Sequence, residues 1–189
     1  GDQSCRPARI VRPAGRDELA AAIAAAAAIG ERVRVAGSGH SFTEAALSDG
    51  TLLQLEALSG VQDADRASGL VRVGGGTVLA DLNEELARLG LAMENLGDID
   101  RQTIAGAIST GTHGTGSQLG GLATQIRGLE LVVGDGSIVS CSATERPELF
   151  ACARVGLGAL GVVTAVTLQC EPAFVLEATA LGRRRDLRA

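Results

Sequence analysis

The spacing of apolar and polar residues predicts a strand, a helix and a second strand at the beginning of the chain. Arg9 to Val11 is a short strand candidate, and the break Pro13-Ala14-Gly15 then precedes an Ala-rich helix from about Arg16 to Ile29. Alternation from Arg32 to Ala36 predicts a strand that runs directly into the glycine-rich segment Gly37 to Phe42.

Further along the chain, the same reasoning predicts hairpins and two more helices. The predicted strands are Thr51 to Leu55, Val61 to Asp65, Leu70 to Val73, Ile126 to Val133, Ser137 to Cys141 and Val162 to Gln169, and the predicted helices are Val78 to Leu89 and Glu148 to Val155. Asp135-Gly136 between two apolar strands is a strong signal for a tight turn. Hairpins mixed with helices argue for an α+β fold and against a purely parallel sheet.

The segment from Asn95 to Gly121 differs from the rest because small residues dominate it. Within it, Thr110 to Gly116 reads Thr-Gly-Thr-His-Gly-Thr-Gly. So few bulky side chains allow the backbone to approach a partner closely, and a large flat ligand is one candidate.

Composition limits the classes of function. The chain has 189 residues, 46% of them hydrophobic, which is enough for the core of one domain or of two tightly joined halves. Aromatic residues make up 2% and the net charge is -5, so nucleic-acid binding is not expected. Because the chain contains no Lys, Schiff-base chemistry and a Walker-type phosphate loop are excluded within it.

Cysteine usage and hydropathy predict a soluble cytoplasmic protein. Cys5, Cys141, Cys152 and Cys170 show no C-x-x-C spacing and are expected to be buried free thiols. No secretory signal is evident, and the apolar run from Leu19 to Ile29 is shorter than the roughly 20 residues that a membrane span needs.

The loop from Gly37 to Ser41 is the first candidate for binding chemistry. Its glycines allow successive backbone N–H groups to converge on an anion such as a pyrophosphate. A Rossmann fingerprint would need a third glycine where Phe42 stands, so that interpretation is disfavoured. A glycine-rich surface turn without a ligand remains an alternative.

His40 lies within this loop between small residues, which leaves its imidazole free to contact whatever the loop binds. A structural histidine is the alternative. His113 is the only other histidine, and two histidines without clustered carboxylates make a poor metal site. A serine-hydrolase site is not expected, since no G-x-S-x-G motif occurs.

Three separated segments, Val33 to Phe42, Gly106 to Gly116 and Leu157 to Thr164, together resemble the FAD-binding domain of the vanillyl-alcohol oxidase superfamily. Within it, the chain is most similar to the aldonolactone and alditol oxidases. The resemblance implies a PCMH-type fold of two α+β subdomains with FAD between them. Residues 1–57 and 58–175 would form these subdomains, and 176–189 would begin an absent substrate-binding domain or a tail.

The resemblance also implies which residues hold the cofactor. The matching positions are Ala36, Gly37, Ser38, Gly39, His40, Ser41, Gly97, Asp98, Thr103, Gly106, Thr110, Gly111, Thr112, His113 and Val163. By this resemblance His40 carries a covalent bond to the flavin, the loop from Ala36 to Ser41 holds the pyrophosphate, and Val163 lies on the adenine side. His113 is then a flavin neighbour and not a base.

The function implied is oxidation of the CH–OH group of a small polyol or sugar-1,4-lactone. Gly97 matches the family position where a small side chain hinders oxygen, so oxygen is favoured as the acceptor and a dehydrogenase is the alternative. No position matches the family's substrate-orienting residues, and the catalytic residues stay unassigned. A non-catalytic flavin-binding fragment and an interaction domain without a cofactor remain open.

Overall fold

The computed structural model describes residues 4–41 and 43–177. Its strands are β1 Arg9–Val11, β2 Val33–Ala36, β3 Thr51–Gln54, β4 Val61–Asp65, β5 Leu70–Gly74, β6 Leu91–Ala92, β7 Ile126–Val132, β8 Ile138–Ser142, β9 Val162–Gln169 and β10 Glu171–Pro172. Its helices are α1 Arg16–Ala28, α2 Leu79–Leu89, α3 Ile104–Ser109 and α4 Pro147–Ala153. Phe42 and most of the predicted tail, 178–189, lie outside the described residues.

The smaller sheet has three parallel strands in the order β1-β3-β2. Parallel strands need crossover connections, and α1 connects β1 to β2, which lie on either side of β3. Leu19 and Ile23 of α1 are buried against Leu53 and Leu55, at and just beyond the end of β3. The glycine-rich loop begins at the end of β2, in the sheet against which α1 packs.

The larger sheet is antiparallel, with the order β4-β5-β9-β7-β8. The predicted turn between β7 and β8 is confirmed: Gly136 has φ +86°, and the Val133 N–H donates to Ser137 O at 2.9 Å. The Ser137 N–H also donates to the Asp135 carboxylate, and this bond lowers the pKa of Asp135. Asp-Gly thus forms the turn for which its chemistry is suited.

The main core lies between the larger sheet and the helices α2 and α3. Leu79, Leu82 and Leu86 follow one face of α2 and are almost fully buried. They pack in one cluster with Ile104 and Ile108 of α3 and with the inward side chains of β5, β7 and β9. This packing holds α3 against the sheet and so places the start of α3 near the end of β5.

Most predicted elements are confirmed, but α3, β6 and β10 were not predicted. α3 has only six residues and lies in the run of small residues, where hydrophobic periodicity is weak. β6 and β10 have two residues each, too few to show alternation. The four cysteines are free, as expected, but only Cys141 and Cys170 are buried; Cys152 is exposed on α4.

The strands of the smaller sheet all lie before residue 57, and those of the larger sheet all lie after residue 58. The exact boundary between the two subdomains stays a prediction. In the described part of the chain, no helix combines the length and apolarity that a membrane crossing requires.

Candidate cofactor-binding site

A cavity of about 970 Å³ lies where the smaller sheet meets α3 and the ends of β7 and β9. Its volume is at the upper end of the roughly 300–1,000 Å³ that is usual for ligand pockets. Most of the predicted site residues line it: Ala36, Gly37, Ser38, Gly39, His40, Ser41, Thr103, Gly106, Thr110 and Val163. The fold therefore brings residues that are distant in the sequence together around one cavity.

The glycine-rich loop after β2 contacts the first turn of α3. A Cβ atom on Gly37 would lie 2.8 Å from Oγ1 of Thr103, so the loop approaches that hydroxyl more closely than any side chain permits. Gly39 has φ +75°, a left-handed conformation that glycine adopts without strain. The exposed His40 follows it and lines the cavity.

Thr103 begins α3 and lies at the centre of this contact. Its Oγ1 accepts a hydrogen bond from the Gly106 N–H at 3.2 Å, which caps the helix. A bridge with Val78 and a bond from the Ile104 N–H to Thr77 O, 2.8 Å long, hold the same segment to the start of α2. Thr103 is thus positioned by the helix that it caps and by the chain before α2.

The opposite wall depends on a close approach between β5 and β9. A Cβ atom on Gly75 would lie 2.2 Å from Val163 O and 3.4 Å from Cβ of Ala105. The Gly75 N–H instead donates to Thr164 O at 2.8 Å. Only glycine fits at position 75, and this fit brings Val163 and α3 to the same side of the cavity.

The remaining predicted site residues, Gly97, Asp98, Gly111, Thr112 and His113, do not line the cavity. A Cβ atom on Gly97 would lie 3.0 Å from Cγ2 of Thr112 and 3.3 Å from His113 O, so these two short segments touch. Gln102, which lines the cavity, donates from Nε2 to Thr112 Oγ1 at 3.3 Å. These remaining residues therefore lie beside the cavity and are connected to its wall by the hydrogen bond from Gln102.

One ring nitrogen of His113 makes a hydrogen bond to the backbone. Its Nδ1 lies 2.8 Å from Gly114 O. A carbonyl oxygen can only accept, so Nδ1 carries the proton and donates it.

Several residues of the cavity wall were not assigned from the sequence: Arg34, Glu56, Gly75, Gly76, Gln102, Ser109, Val132, Val133, Gly134, Leu157, Gly158, Ala159, Leu160 and Gly161. Leu157 and Leu160 are 60% and 40% exposed, and Leu157 has φ +51°, which is unusual for a non-glycine residue. In the sequence, this loop is marked only as part of the segment Leu157 to Thr164 that carries the family resemblance, since the exposure of its leucines is visible only in the fold.

Charged side chains are few around the cavity. Among the described residues that line it, Arg34 is the one guanidinium and Glu56 is the one carboxylate. An anion bound there would therefore depend largely on backbone N–H groups of the glycine-rich loop. Residues 4–41 and 43–177 contain no group of three or more metal-ligating side chains.

Residues 7–142 match the family model described as the FAD binding domain. The chain belongs to this family of FAD-binding domains. It superimposes on 6-hydroxy-D-nicotine oxidase from Arthrobacter nicotinovorans with a TM-score of 0.80 and 29% identity, over 91% of this chain and 38% of that one. The likeness confirms the predicted α+β, PCMH-type fold.

Among curated relatives, the FAD-binding domain is similar to enzymes named for lactones and alditols. It is 48% identical to the L-gulono-1,4-lactone dehydrogenase of Mycobacterium tuberculosis and 40% identical to the L-gulonolactone oxidase of Bos taurus, each over 93% of this chain and 40% of the relative. It is 44% identical to an alditol oxidase of Streptomyces over 86% of this chain and 39% of that protein. The chain thus spans about two fifths of their length.

Proposed function

We propose that this FAD-binding domain serves a flavoprotein oxidoreductase that oxidises the CH–OH group of a polyol or a sugar-1,4-lactone. Relatives named for gulonolactone and alditol substrates support the substrate class. The observation that carries the proposal is the cavity itself. A glycine-rich loop with a histidine and the first turn of α3 line it together, within a chain that matches the FAD binding domain family.

The residues around the cavity fit FAD. Side chains are absent where the loop meets Thr103, and apolar groups such as Leu157 and Leu160 offer surface to a flat ring system. Bound FAD supplies the redox chemistry, accepting hydride from the carbon that bears the substrate hydroxyl. The loop from Ala36 to Ser41 would hold the pyrophosphate, and Val163 would contact the adenine side.

His40 would bind the flavin covalently. Its exposed side chain lines the cavity, and no described carboxylate pairs with it. The bond would join an imidazole nitrogen to the ring-methyl carbon, and each partner would lose one hydrogen. The two electrons and two protons released would pass to oxygen as hydrogen peroxide.

Acid denaturation tests the covalent bond. We expect the flavin to remain on the denatured polypeptide of the parent and of His113→Ala, and to be released from His40→Ala, because His40 is the histidine that lines the cavity. Intact mass spectrometry after expression with ample FAD measures the result. The mass of the bare polypeptide in a yellow parent protein would show that the flavin is held without a bond.

Oxygen is the proposed electron acceptor, and a dehydrogenase is the second candidate. The support for oxygen is that Gly97 matches the family position where a small side chain hinders oxygen, and glycine has no side chain there. Gly97 lies beside the cavity and not in its lining. The second candidate is favoured by the 48% identity to a relative named as a dehydrogenase.

A further inference from the structure

The seam between α1 and β7 joins the two sheets and forms part of the cavity wall. Leu19 and Ile23 of α1 are buried in one cluster with Val132 at the end of β7. At the hairpin turn, a Cβ atom on Gly136 would lie 3.0 Å from Ala20 O. Ile23 and Val132 both line the cavity, so the position of α1 along β7 determines the shape of this wall.

Glu130 lies on β7, two residues before Val132, and is only 7% exposed. Its Oε2 atom accepts hydrogen bonds from Arg16 Nη1 at 3.1 Å and from Arg72 Nη2 at 3.0 Å. Its Oε1 atom accepts from Thr164 Oγ1 at 2.8 Å. The carboxylate is thus held by partners from α1, β5 and β9.

The three partners of Glu130 connect it to different parts of the fold. Arg72 and Thr164 belong to the larger sheet, as Glu130 does, and only fix the carboxylate within that sheet. Arg16 belongs to α1. Among the described residues, Arg16–Glu130 is the one ion pair that connects α1 or the smaller sheet with the larger sheet.

We propose that Glu130 is a positioning residue for the cofactor: through Arg16 it sets where α1 lies on β7, and so the spacing of the cavity walls. This inference rests on the binding of FAD in the cavity. Apolar contacts at the seam are non-directional and tolerate sliding, whereas charge-assisted hydrogen bonds require a defined geometry. The pair therefore selects one register among those that the apolar seam permits.

Removal of Arg16 should affect binding more than stability. Arg16 is the first residue of α1, where the helix dipole disfavours a cation, and its side chain is 56% exposed. Arg16→Gln therefore loses the cross-seam bond but little folding free energy. Arg72→Gln is the matched control, because it removes the other guanidinium from Glu130 and leaves the cross-seam pair in place.

The test is an FAD titration in a His40→Ala background, where binding is reversible. The chain has no Trp and no Tyr, so flavin fluorescence reports binding directly. For Arg16→Gln we expect the FAD Kd to rise about fivefold, since Kd increases as the binding-competent fraction falls, with an unchanged melting temperature of the apo-protein. Arg16→Lys should restore the affinity, and Arg72→Gln should lower the melting temperature without a comparable rise in Kd.

Two results would overturn the inference. One is an unchanged Kd in Arg16→Gln while the parent binds FAD. The other is a Kd that rises in Arg16→Gln and Arg72→Gln in proportion to their loss of stability, which would make the cluster a purely structural feature. If the parent binds no FAD at all, the proposed function fails together with the inference.

Discussion

In this site, the hydroxyl oxygen of Thr103 limits which residues fit at two neighbouring positions. Cβ atoms on Gly37 and Gly106 would lie 2.8 and 2.9 Å from the same Thr103 Oγ1. The glycine-rich loop could be identified from sequence because glycines after a strand are a local pattern. Its contact with Thr103 could not be derived from the residues alone, since it joins segments that meet only in the fold.

Gly97 is the residue on which the proposal of oxygen as the acceptor rests. In Gly97→Ala we expect slower reoxidation of the reduced flavin by oxygen, because the added methyl narrows the approach. The methyl would also lie 3.0 Å from Cγ2 of Thr112, which must move. Stopped-flow reoxidation of the complete enzyme measures the effect.

Thr112→Ser is the control for that experiment, because it removes the methyl group that the new side chain of Gly97→Ala would meet. If Gly97→Ala in this background is still slow, the methyl itself hinders oxygen, as expected. Slow reoxidation of the parent, unchanged by either substitution, would instead assign the protein to the dehydrogenases.

Among the elements, those with a strong local pattern were predictable and those that depend on tertiary contacts were not. β7, β8 and their Asp-Gly turn follow from alternation and turn chemistry. α3 is stabilised by its Thr103 cap and by packing on β9, and neither leaves a periodic pattern in six residues. The cavity wall at Leu157–Gly161 escaped assignment because its position follows from β7 and β9 pairing.

The Thr103 cap of α3 leads to a prediction about the stability of the apo-protein. Thr103→Ala should reduce the free energy of unfolding of the apo-protein by about 0.5–2 kcal/mol, the usual effect of losing an N-cap side chain, and Thr103→Ser should retain most of it. Urea unfolding without FAD measures this separately from any contact with the cofactor. Equal stability of the Ala variant and the parent would show that the cap contributes nothing to α3.

For the molecule as a whole, ionisation of the buried thiols at alkaline pH changes the stability of the folded state. The chain contains no Lys and no Tyr, whose pKa values are ordinarily about 10, so these side chains do not add to the pH dependence in this range. Burial raises the pKa of Cys170 from 9.0 to about 11, and burial also raises the pKa of Cys141. The unfolded chain therefore loses thiol protons at a lower pH than the folded one.

This difference makes the folded state less stable as the pH rises. The contribution of Cys170 is fully present below pH 9.0 and is lost as the pH increases toward about 11. We expect the free energy of unfolding of the parent to fall across this window and to fall less steeply in Cys170→Ala. Denaturant titrations at a series of pH values measure the slope. Identical slopes would mean that Cys170 is not the group responsible.

Binding of FAD in the cavity between the two sheets can be measured as the flavin content of the purified domain. Because the chain has no Trp or Tyr, its concentration is measured by amino-acid analysis and the flavin by its visible absorbance after gel filtration. We expect about one flavin per chain, because the described residues form one cavity of the size of a ligand pocket. A folded protein, verified by circular dichroism, that stays colourless after expression and incubation with excess FAD would contradict it.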